Sequence, residues 1–326
     1  MRTTTRAGEL AKQILAEYPT SGSLTLAKRL YQQFPEEFQT VEHARGIVRH
    51  YRGEHGANHR KGLQDLTHVK DMDKMLRDRF ALPEPAVMNR EPYYIPKAND
   101  KGIVFGDAHF PYQNNKGIYE AIEYGVRKGA NWILMNGDML DLYQVSRFTK
   151  DGRKPNVEYE IEMLYEFLIN LRAAFPNALI IWKNGNHEDR WDTYMKNSAP
   201  VLYMTGTTSL EDTMPLGDLN IIVIKDKRRI IAGDLNILHG HEYPGSAGSV
   251  NPARAMFLKA GANVLCNHFH RSSSHKGTDL NGRVIRSYSL GAMCAAQDYS
   301  PYGQQDCSFG WLQTVDGVTY VTVREV

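Results

Sequence analysis

Acidic, imidazole and carboxamide side chains are concentrated in five short motifs of this sequence, and each motif directly follows an apolar run. Groups of these types can bind divalent metal ions and move protons. Short apolar runs that stop at a glycine or a polar residue are typical of buried strands that end in loops. The motifs, in chain order, are Gly106–His109, Gly137–Asp141, Gly185–Glu188, His239–His241 and Asn267–His270.

This combination of groups predicts a metal site at one edge of a sheet, because open α/β sheets bind ligands at the carboxyl ends of their strands. Two divalent ions about 3.5–4 Å apart can clamp the attacking and leaving oxygens of a phosphoryl group, and a carboxylate must bridge them. Mixed Asp, Asn and His ligands suit manganese, iron or zinc better than calcium or magnesium. We therefore predict two divalent ions, manganese first, with iron or zinc as alternatives.

The order and content of the motifs resemble those of calcineurin-like metallophosphoesterases, from about Gly102 to the C-terminus. The resemblance implies two overlapping metal sites that share Asp138 as a bridge. The implied ligands are Asp107, His109, Asp138 and His270 for one ion, and Asp138, Asn186, His239 and His268 for the other. It also implies that His187 lies by the leaving oxygen as general acid or charge stabiliser, and that Asp141 orients it.

Three neighbouring positions leave local alternatives open. His241 lies two residues after His239 and could compete with it as a ligand, although the family pattern favours His239. Asn267 stands where the family usually has glycine; asparagine tolerates a positive φ, so we expect the turn to form. Cys266 precedes that turn and could approach a metal, but a small buried strand residue is the favoured interpretation.

Basic residues near the motifs are candidates to hold a phosphate-bearing substrate. The loop 142–155 leaves the predicted metal edge and carries several cations, of which Arg147 is the first candidate. Arg190 and Arg271 follow the third and fifth motifs and are the other two. Cations in such positions can stabilise a transition state or steer an anionic substrate. The alternative is an ordinary solvated loop.

The segments between the motifs predict alternating strands and helices. Residues 116–129 predict a crossover helix that ends at Gly129, and residues 158–175 predict a second helix. Two β-rich runs, 221–224 and 230–238, predict antiparallel strands added to a parallel core. The expected fold class is α/β, and the family resemblance implies a four-layer α/β/β/α sandwich.

The first 62 residues predict a small all-α domain of three helices, like a helix-turn-helix module. Arg45, Arg49 and Arg52 belong to the third helix, and the segment holds ten Lys or Arg against six Glu, a net charge of +4. A basic third helix can enter the DNA major groove. A three-helix bundle with a solvated arginine face is the equally weighted alternative.

The predicted division is a helical, potentially DNA-binding domain at 1–62, a helical and proline-rich connector at 63–100, and a catalytic domain at 101–326. Helical periodicity at 63–80 and four prolines between 83 and 96 define the connector. Histidines 43, 50, 55, 59 and 68 have no zinc-type spacing, so we predict surface positions for them.

Composition limits the cellular setting. The three cysteines form no CxxC pair, which favours a reducing compartment, and neither a signal peptide nor a membrane-spanning apolar run is evident. We therefore expect a cytoplasmic protein with a phosphoester substrate, potentially DNA, and no membrane partner; the sequence specifies no protein partner.

The basic helical segment and the basic loop favour hydrolysis of a phosphodiester in nucleic acid. A phosphomonoesterase and a cyclic-nucleotide or small-molecule phosphodiesterase are the enzymatic alternatives. A non-catalytic DNA-binding or scaffold protein is the alternative from another class, but it would be expected to have lost some ligands, and here the motifs are complete.

Overall fold

The computed structural model describes residues 5–61, 63, 67–68, 90–243, 250–295 and 305–326 of the 326-residue chain. The chain divides into two compact units, Met1–Val87 and Met88–Val326. Apart from residues 63, 67 and 68, the helix predicted at 63–80 lies outside the described residues, as do the first two prolines of the connector. No helix in the described parts has both the length and the apolar character needed to cross a membrane.

The smaller unit contains the helices α1 (Arg6–Glu17), α2 (Ser23–Gln33), α3 (Val41–Tyr51) and α4 (Ala57–Lys61). The side chains of Thr5 and Thr40 cap α1 and α3 by accepting hydrogen bonds from backbone N–H groups of the first turn. Apolar faces of the first three helices form its core, which includes Ala11, Leu15, Leu26, Leu30, Phe38 and Val48.

Arg52 is not part of a solvated arginine face, which was one of the two alternatives that the sequence left open for the third helix. Its side chain is buried, and its guanidinium donates to Ser23 Oγ at 2.9 Å and to the carbonyl oxygens of Pro19 and Ser21. Periodicity alone could not reveal this because Arg52 lies just past α3, where the chain turns toward the start of α2. A guanidinium offers five donors, so it can satisfy several carbonyls there.

The larger unit contains two sheets. In the first, the order is β12-β11-β2-β3-β4-β5, with β2 to β5 parallel; in the second it is β1-β6-β7-β8-β10-β9. The strands are β1 Tyr93–Tyr94, β2 Lys101–Phe105, β3 Trp132–Asn136, β4 Leu179–Lys183, β5 Ile221–Ile224, β6 Ile230–Ala232, β7 Leu235–Ile237, β8 Val264–Cys266, β9 Ser273–Thr278, β10 Val284–Ser289, β11 Ser308–Val315 and β12 Val318–Glu325.

The helices of this unit are α5 Asn115–Lys128, α6 Val157–Ala174, α7 Glu188–Ser198, α8 Pro200–Tyr203 and α9 Pro252–Ala260. Of these, α5, α6 and α9 cover the outer faces of the two sheets. In β2, Ile103 and Phe105 pack in the core beneath α5 and α6, whereas Val104 packs in the core between the sheets. On the far side, Met256 of α9 packs on the second sheet. The predicted α/β/β/α sandwich is confirmed.

The prediction of two antiparallel strands at 221–224 and 230–238 is wrong. Strand β5 pairs in parallel with β4 in the first sheet, while β6 belongs to the second sheet. The run 230–238 is itself a hairpin, in which β6 pairs antiparallel with β7 around Gly233 at φ 55°. Glycine adopts this left-handed conformation without steric cost, so it supplies the turn inside an apolar run.

Candidate metal centre

The predicted ligands meet at one edge of the two sheets. Asp107, Asp138 and Asn186 follow the neighbouring parallel strands β2, β3 and β4, and His239 and His268 follow β7 and β8. Five of the predicted ligands have positive φ angles, which are uncommon for residues other than glycine. They are Asp107 at 53°, His109 at 48°, Asp138 at 52°, His268 at 72° and His270 at 55°. Left-handed turns at functional groups of this kind are typical of active sites.

Two glycines allow these loops to approach one another closely. A Cβ atom at Gly185 would overlap the Asp138 carboxylate and backbone nitrogen. A Cβ atom at Gly137, whose φ is 89°, would overlap the His239 ring. Any side chain at either position would therefore separate the loops.

One group of ligand atoms forms around Asp138. His239 Nε2 lies 3.3 Å from Asp138 Oδ2 and 3.3 Å from Asn186 Oδ1, and a ligand atom of His268 lies within 4.8 Å of those of Asp138 and His239. His239 Nδ1 lies 2.7 Å from the carbonyl oxygen of Asn136, which can only accept a hydrogen bond. Nδ1 therefore carries a proton, and Nε2 is oriented toward the cluster.

A second group forms around His109 and His270, whose Nε2 atoms lie 3.3 Å apart. Asp107 Oδ1 lies 3.6 Å from His270 Nε2, while Asp107 Oδ2 accepts a hydrogen bond from the backbone N–H of His268 at 2.9 Å. Ligand atoms of His109, Asp138 and His187 also lie within 4.8 Å of one another. Asp138 thus belongs to clusters on both sides of the centre.

These residues fit divalent metal ions. Asp107 Oδ1 is buried and has no hydrogen-bond partner among the described residues, and the Nε2 atoms of His109 and His270 face each other at 3.3 Å. Burial alone would lower the pKa of His239, but the carboxylates of Asp138 and Asp107 raise it to about 10. The site therefore attracts positive charge strongly enough to hold a proton on this imidazole, and a metal ion could replace that proton.

His187 is held as a neutral imidazole. Its Nδ1 lies 2.8 Å from the carbonyl oxygen of Asp141, and its Nε2 lies 2.7 Å from Nη2 of Arg190. Burial lowers the pKa of His187 to about 3. Because Arg190 donates to Nε2, this arrangement puts the positive charge on Arg190, not on His187.

Asp141 contacts His187 through two different groups. Its carbonyl oxygen accepts from His187 and also from Arg190 Nη1 at 2.7 Å, and its carboxylate lies 3.6 Å from His187 Nδ1. The same carboxylate lies 3.5 Å from His109 Nδ1. Asp141 is thus placed to orient both imidazoles.

Comparison with known families accounts for this arrangement. A sequence profile described as calcineurin-like phosphoesterase matches residues 102–290, which is more than half of the chain and includes every predicted metal ligand. The chain belongs to the calcineurin-like phosphoesterase family. It is therefore related to phosphoester hydrolases.

Individual relatives are distant. This phosphoesterase is 24% identical to the Gene 54 protein of Mycobacterium phage L5 over 200 residues, which cover 58% of this chain and 77% of that protein. Among solved structures, the E. coli phosphoesterase Yfce is 16% identical with a TM-score of 0.32, covering 65% of this chain and 88% of that one. A dimetal phosphatase from Danio rerio is 12% identical with a TM-score of 0.35, covering 70% and 96%.

Glu188 organises the centre of this phosphoesterase, a role that sequence reasoning missed although the residue belongs to the third motif. Its carboxylate accepts hydrogen bonds from four backbone N–H groups: those of Gly185 at 2.7 Å, Asp138 at 2.9 Å, Met139 at 2.8 Å and Leu140 at 3.2 Å. One buried side chain thus joins the loops after β3 and β4, which carry Asp138 and Asn186.

The Glu242 carboxylate likewise binds backbone N–H groups, here in the loop that follows β7 of the second sheet. Its carboxylate accepts from the N–H groups of His239 at 3.0 Å and Gly240 at 2.6 Å, and lies 2.8 Å from the ammonium of Lys183. Lys183 ends β4, so the pair connects the two sheets beneath the centre. A sequence pattern could not identify it because the partners lie 59 residues apart.

A cleft of about 320 Å³ opens beside the centre and is lined in part by Asn186. Arg147, Phe148 and Arg190 all line this cleft, and Phe148 is 56% exposed. Arg271 does not belong to its lining among the described residues; its carbonyl oxygen accepts from Ser289. Two of the three predicted substrate-binding arginines are therefore brought together.

The remaining histidine and cysteine alternatives do not belong to the groups of ligand atoms among the described residues. The His241 ring nevertheless lies beside the His239 ring, with 5.2 Å between their centroids. His241 Nε2 lies 3.3 Å from Asp189 Oδ2, and His241 is not grouped with the other ligand atoms in the described structure. Cys266 is buried in the apolar cluster that contains Met256. Cys294, which the sequence did not single out, lies instead beside His109 and His270.

Proposed function

We propose that this phosphoesterase hydrolyses phosphodiesters in nucleic acid with the aid of two divalent metal ions. The observation that carries the proposal is the convergence of Asp138 with ligand groups on both of its sides. Asp107, His109 and His270 would hold one ion, Asn186, His239 and His268 the other, and Asp138 would bridge them. Manganese is the proposed metal, with iron or zinc as alternatives, because Asp, Asn and His donors are combined.

When bound, two such ions supply an activated water nucleophile and positive charge for the phosphoryl oxygens. The chain itself contributes Arg190, whose guanidinium is fixed by the Asp141 carbonyl and by His187 Nε2. In this proposal Arg190 stabilises charge near the leaving oxygen, and His187 and Asp141 hold it there. A fixed guanidinium in a partly buried site needs no reorganisation during the reaction.

The cleft supports a nucleic-acid substrate. Arg147 can contact a phosphate, and the exposed ring of Phe148 can stack on a base, a combination found in proteins that bind single strands. The net charge of +4 on residues 1–62 also supports a nucleic-acid substrate. We propose that this segment contacts DNA through Arg45 and Arg49. Both are about 40% exposed, although they lie 3.3 Å from Glu42 and 3.4 Å from Glu54, respectively.

A substrate panel tests the proposal. With Mn²⁺, the purified protein should cleave DNA and bis(p-nitrophenyl) phosphate faster than p-nitrophenyl phosphate, a monoester. Turnover of the monoester alone would favour the phosphomonoesterase alternative. Absence of any metal-dependent hydrolysis, together with intact DNA binding, would favour the non-catalytic alternative.

Salt dependence tests the DNA contact separately. Full-length protein should bind a labelled duplex with an affinity that falls as salt rises, because phosphate contacts release counterions. An Arg45→Ala/Arg49→Ala variant should show a shallower salt slope. A Lys116→Ala/Lys128→Ala variant, which removes two cations from α5, is the matched control and should keep the wild-type slope.

A further inference from the structure

Cys294 is buried next to the ligand atoms that would hold one metal ion. Its Sγ lies within 4.8 Å of ligand atoms of both His109 and His270. We propose that Cys294 is a thiolate ligand of the ion held by these two histidines and gives this position a preference for zinc, cobalt or iron over magnesium. This inference rests on the proposed two-metal function.

The backbone fixes Cys294 against the loop that carries His109. The N–H of Met293 donates to Gly106 at 3.1 Å, and the carbonyl oxygen of Met293 accepts from Asn114 at 2.7 Å. On the other side of the cysteine, the N–H of Ala295 donates to the carbonyl oxygen of Tyr112 at 2.8 Å. The sulfur is therefore held in place by the same loop that positions its proposed co-ligand.

A second contact suits a sulfur that carries negative charge. Gln305 Nε2 lies 3.2 Å from Cys294 Sγ and donates to the Cys294 carbonyl oxygen at 2.6 Å. Metal-bound thiolates are commonly stabilised by such donors from outside the ligand set. Binding of the metal would release the thiol proton to solvent, because a coordinating thiol is deprotonated.

The two metal positions would then differ in chemistry. Each position would have two imidazoles and the shared Asp138 carboxylate. The Cys294 thiolate would favour softer ions on one side, whereas Asn186 would add a carboxamide oxygen on the other. The chain contains two further cysteines that serve as controls. Cys266 packs in an apolar cluster, and Cys307 Sγ lies 3.8 Å from Met293 Sδ; neither belongs to a group of potential metal ligands in the described regions.

Cobalt substitution tests the inference without measuring activity. Full-length protein loaded with Co²⁺ should show thiolate-to-cobalt charge-transfer absorption in the near ultraviolet. Cys294→Ser should lose this band while keeping the visible cobalt absorption of the nitrogen and oxygen ligands. Cys266→Ser and Cys307→Ser should keep the band.

A wild-type protein that binds two cobalt ions without this band would overturn the ligand assignment and leave the proposed function standing. A charge-transfer band that persists in Cys294→Ser would also overturn the ligand assignment without affecting the proposed function. Failure of the wild type to bind cobalt at all would contradict both the ligand assignment and the proposed two-metal function. In competition experiments, Cys294→Ser should weaken Zn²⁺ binding by about 10- to 100-fold and Mg²⁺ binding by a smaller factor. Equal losses of affinity for the two ions would contradict the proposed preference.

Discussion

The ammonium nitrogen of Lys183 lies 2.8 Å from the Glu242 carboxylate, and both side chains are shielded from solvent. Lys183 ends a strand of the first sheet, and Glu242 follows a strand of the second. The same carboxylate accepts hydrogen bonds from His239 and Gly240. A charge pair between the sheets therefore sets the position of a predicted metal ligand.

Removing one charge of the Lys183–Glu242 pair should lower the free energy of unfolding much more than removing both charges. Glu242→Gln leaves the Lys183 ammonium buried without its counterion, which typically costs about 3–5 kcal/mol. The double variant Lys183→Met/Glu242→Gln removes both charges, so its free energy of unfolding should be closer to that of the wild type. Urea unfolding followed by tryptophan fluorescence measures the difference; additive losses would contradict the coupling.

Acid should weaken the wild type more than this double variant. Burial alone would raise the pKa of Glu242, but Lys183 and the neighbouring histidines lower it from 4.5 to about 2. A carboxyl with a lowered folded-state pKa contributes stability that is fully present above its unfolded pKa and is lost as the pH falls toward 2. Between about pH 5 and pH 3, the free energy of unfolding should fall more steeply for the wild type than for the double variant. Parallel pH curves for the two proteins would contradict a lowered pKa of Glu242.

Glu188→Gln should disturb the centre although the shape of the side chain is kept. The amide replaces one acceptor oxygen with a donor, which then faces backbone N–H groups that have lost their partner. A misplacement of about 1 Å can cost about 100-fold in rate, so we expect kcat/KM to fall by about that factor. Glu162→Gln, on the exposed side of α6, is the matched control and should retain wild-type kinetics. Unchanged kinetics in Glu188→Gln would show that the four hydrogen bonds do not position the ligands.

Arg190 and His187 should behave as one unit in kinetics. Arg190→Met removes the positive charge, and loss of one such transition-state contact typically lowers kcat by about 100- to 1,000-fold. Because His187 holds the guanidinium, His187→Ala should cause a similar loss, and the double variant should lose little more than either single change. Lys196→Met on the same helix is the control. If the fold-losses in kcat of the two single variants multiply in the double variant, the two side chains act independently. Full activity in His187→Ala would show that His187 does not hold the Arg190 guanidinium in a catalytic position.

The sequence was informative where local pattern determines structure. Apolar runs ending in Asp107, Asp138 and Asn186 predicted strands with polar groups at one edge, because strand burial and turn formation depend on neighbouring residues. It was less informative where the structure depends on contacts between distant segments. Cys294 lies 185 residues after His109 in the chain, and Lys183 meets Glu242 only because two sheets pack together.

Arg52 shows the same limit in the smaller unit. Its helical position and charge predicted solvent exposure, which is the usual environment of arginine. Carbonyl oxygens of Pro19 and Ser21 nevertheless accept its hydrogen bonds in the folded unit. Side-chain burial of this kind follows from the packing of the whole unit, which periodicity does not describe.

Metal stoichiometry tests the central proposal most directly. After incubation with Mn²⁺ and removal of free metal, elemental analysis of the wild type should give two ions per chain, because Asp138 joins both ligand groups. Asp138→Ala should hold fewer than one, and Asp218→Ala, which changes an exposed carboxylate away from the predicted ligands, should still hold two. Fewer than two ions in the wild type, or two ions retained by Asp138→Ala, would contradict a bridged two-metal centre.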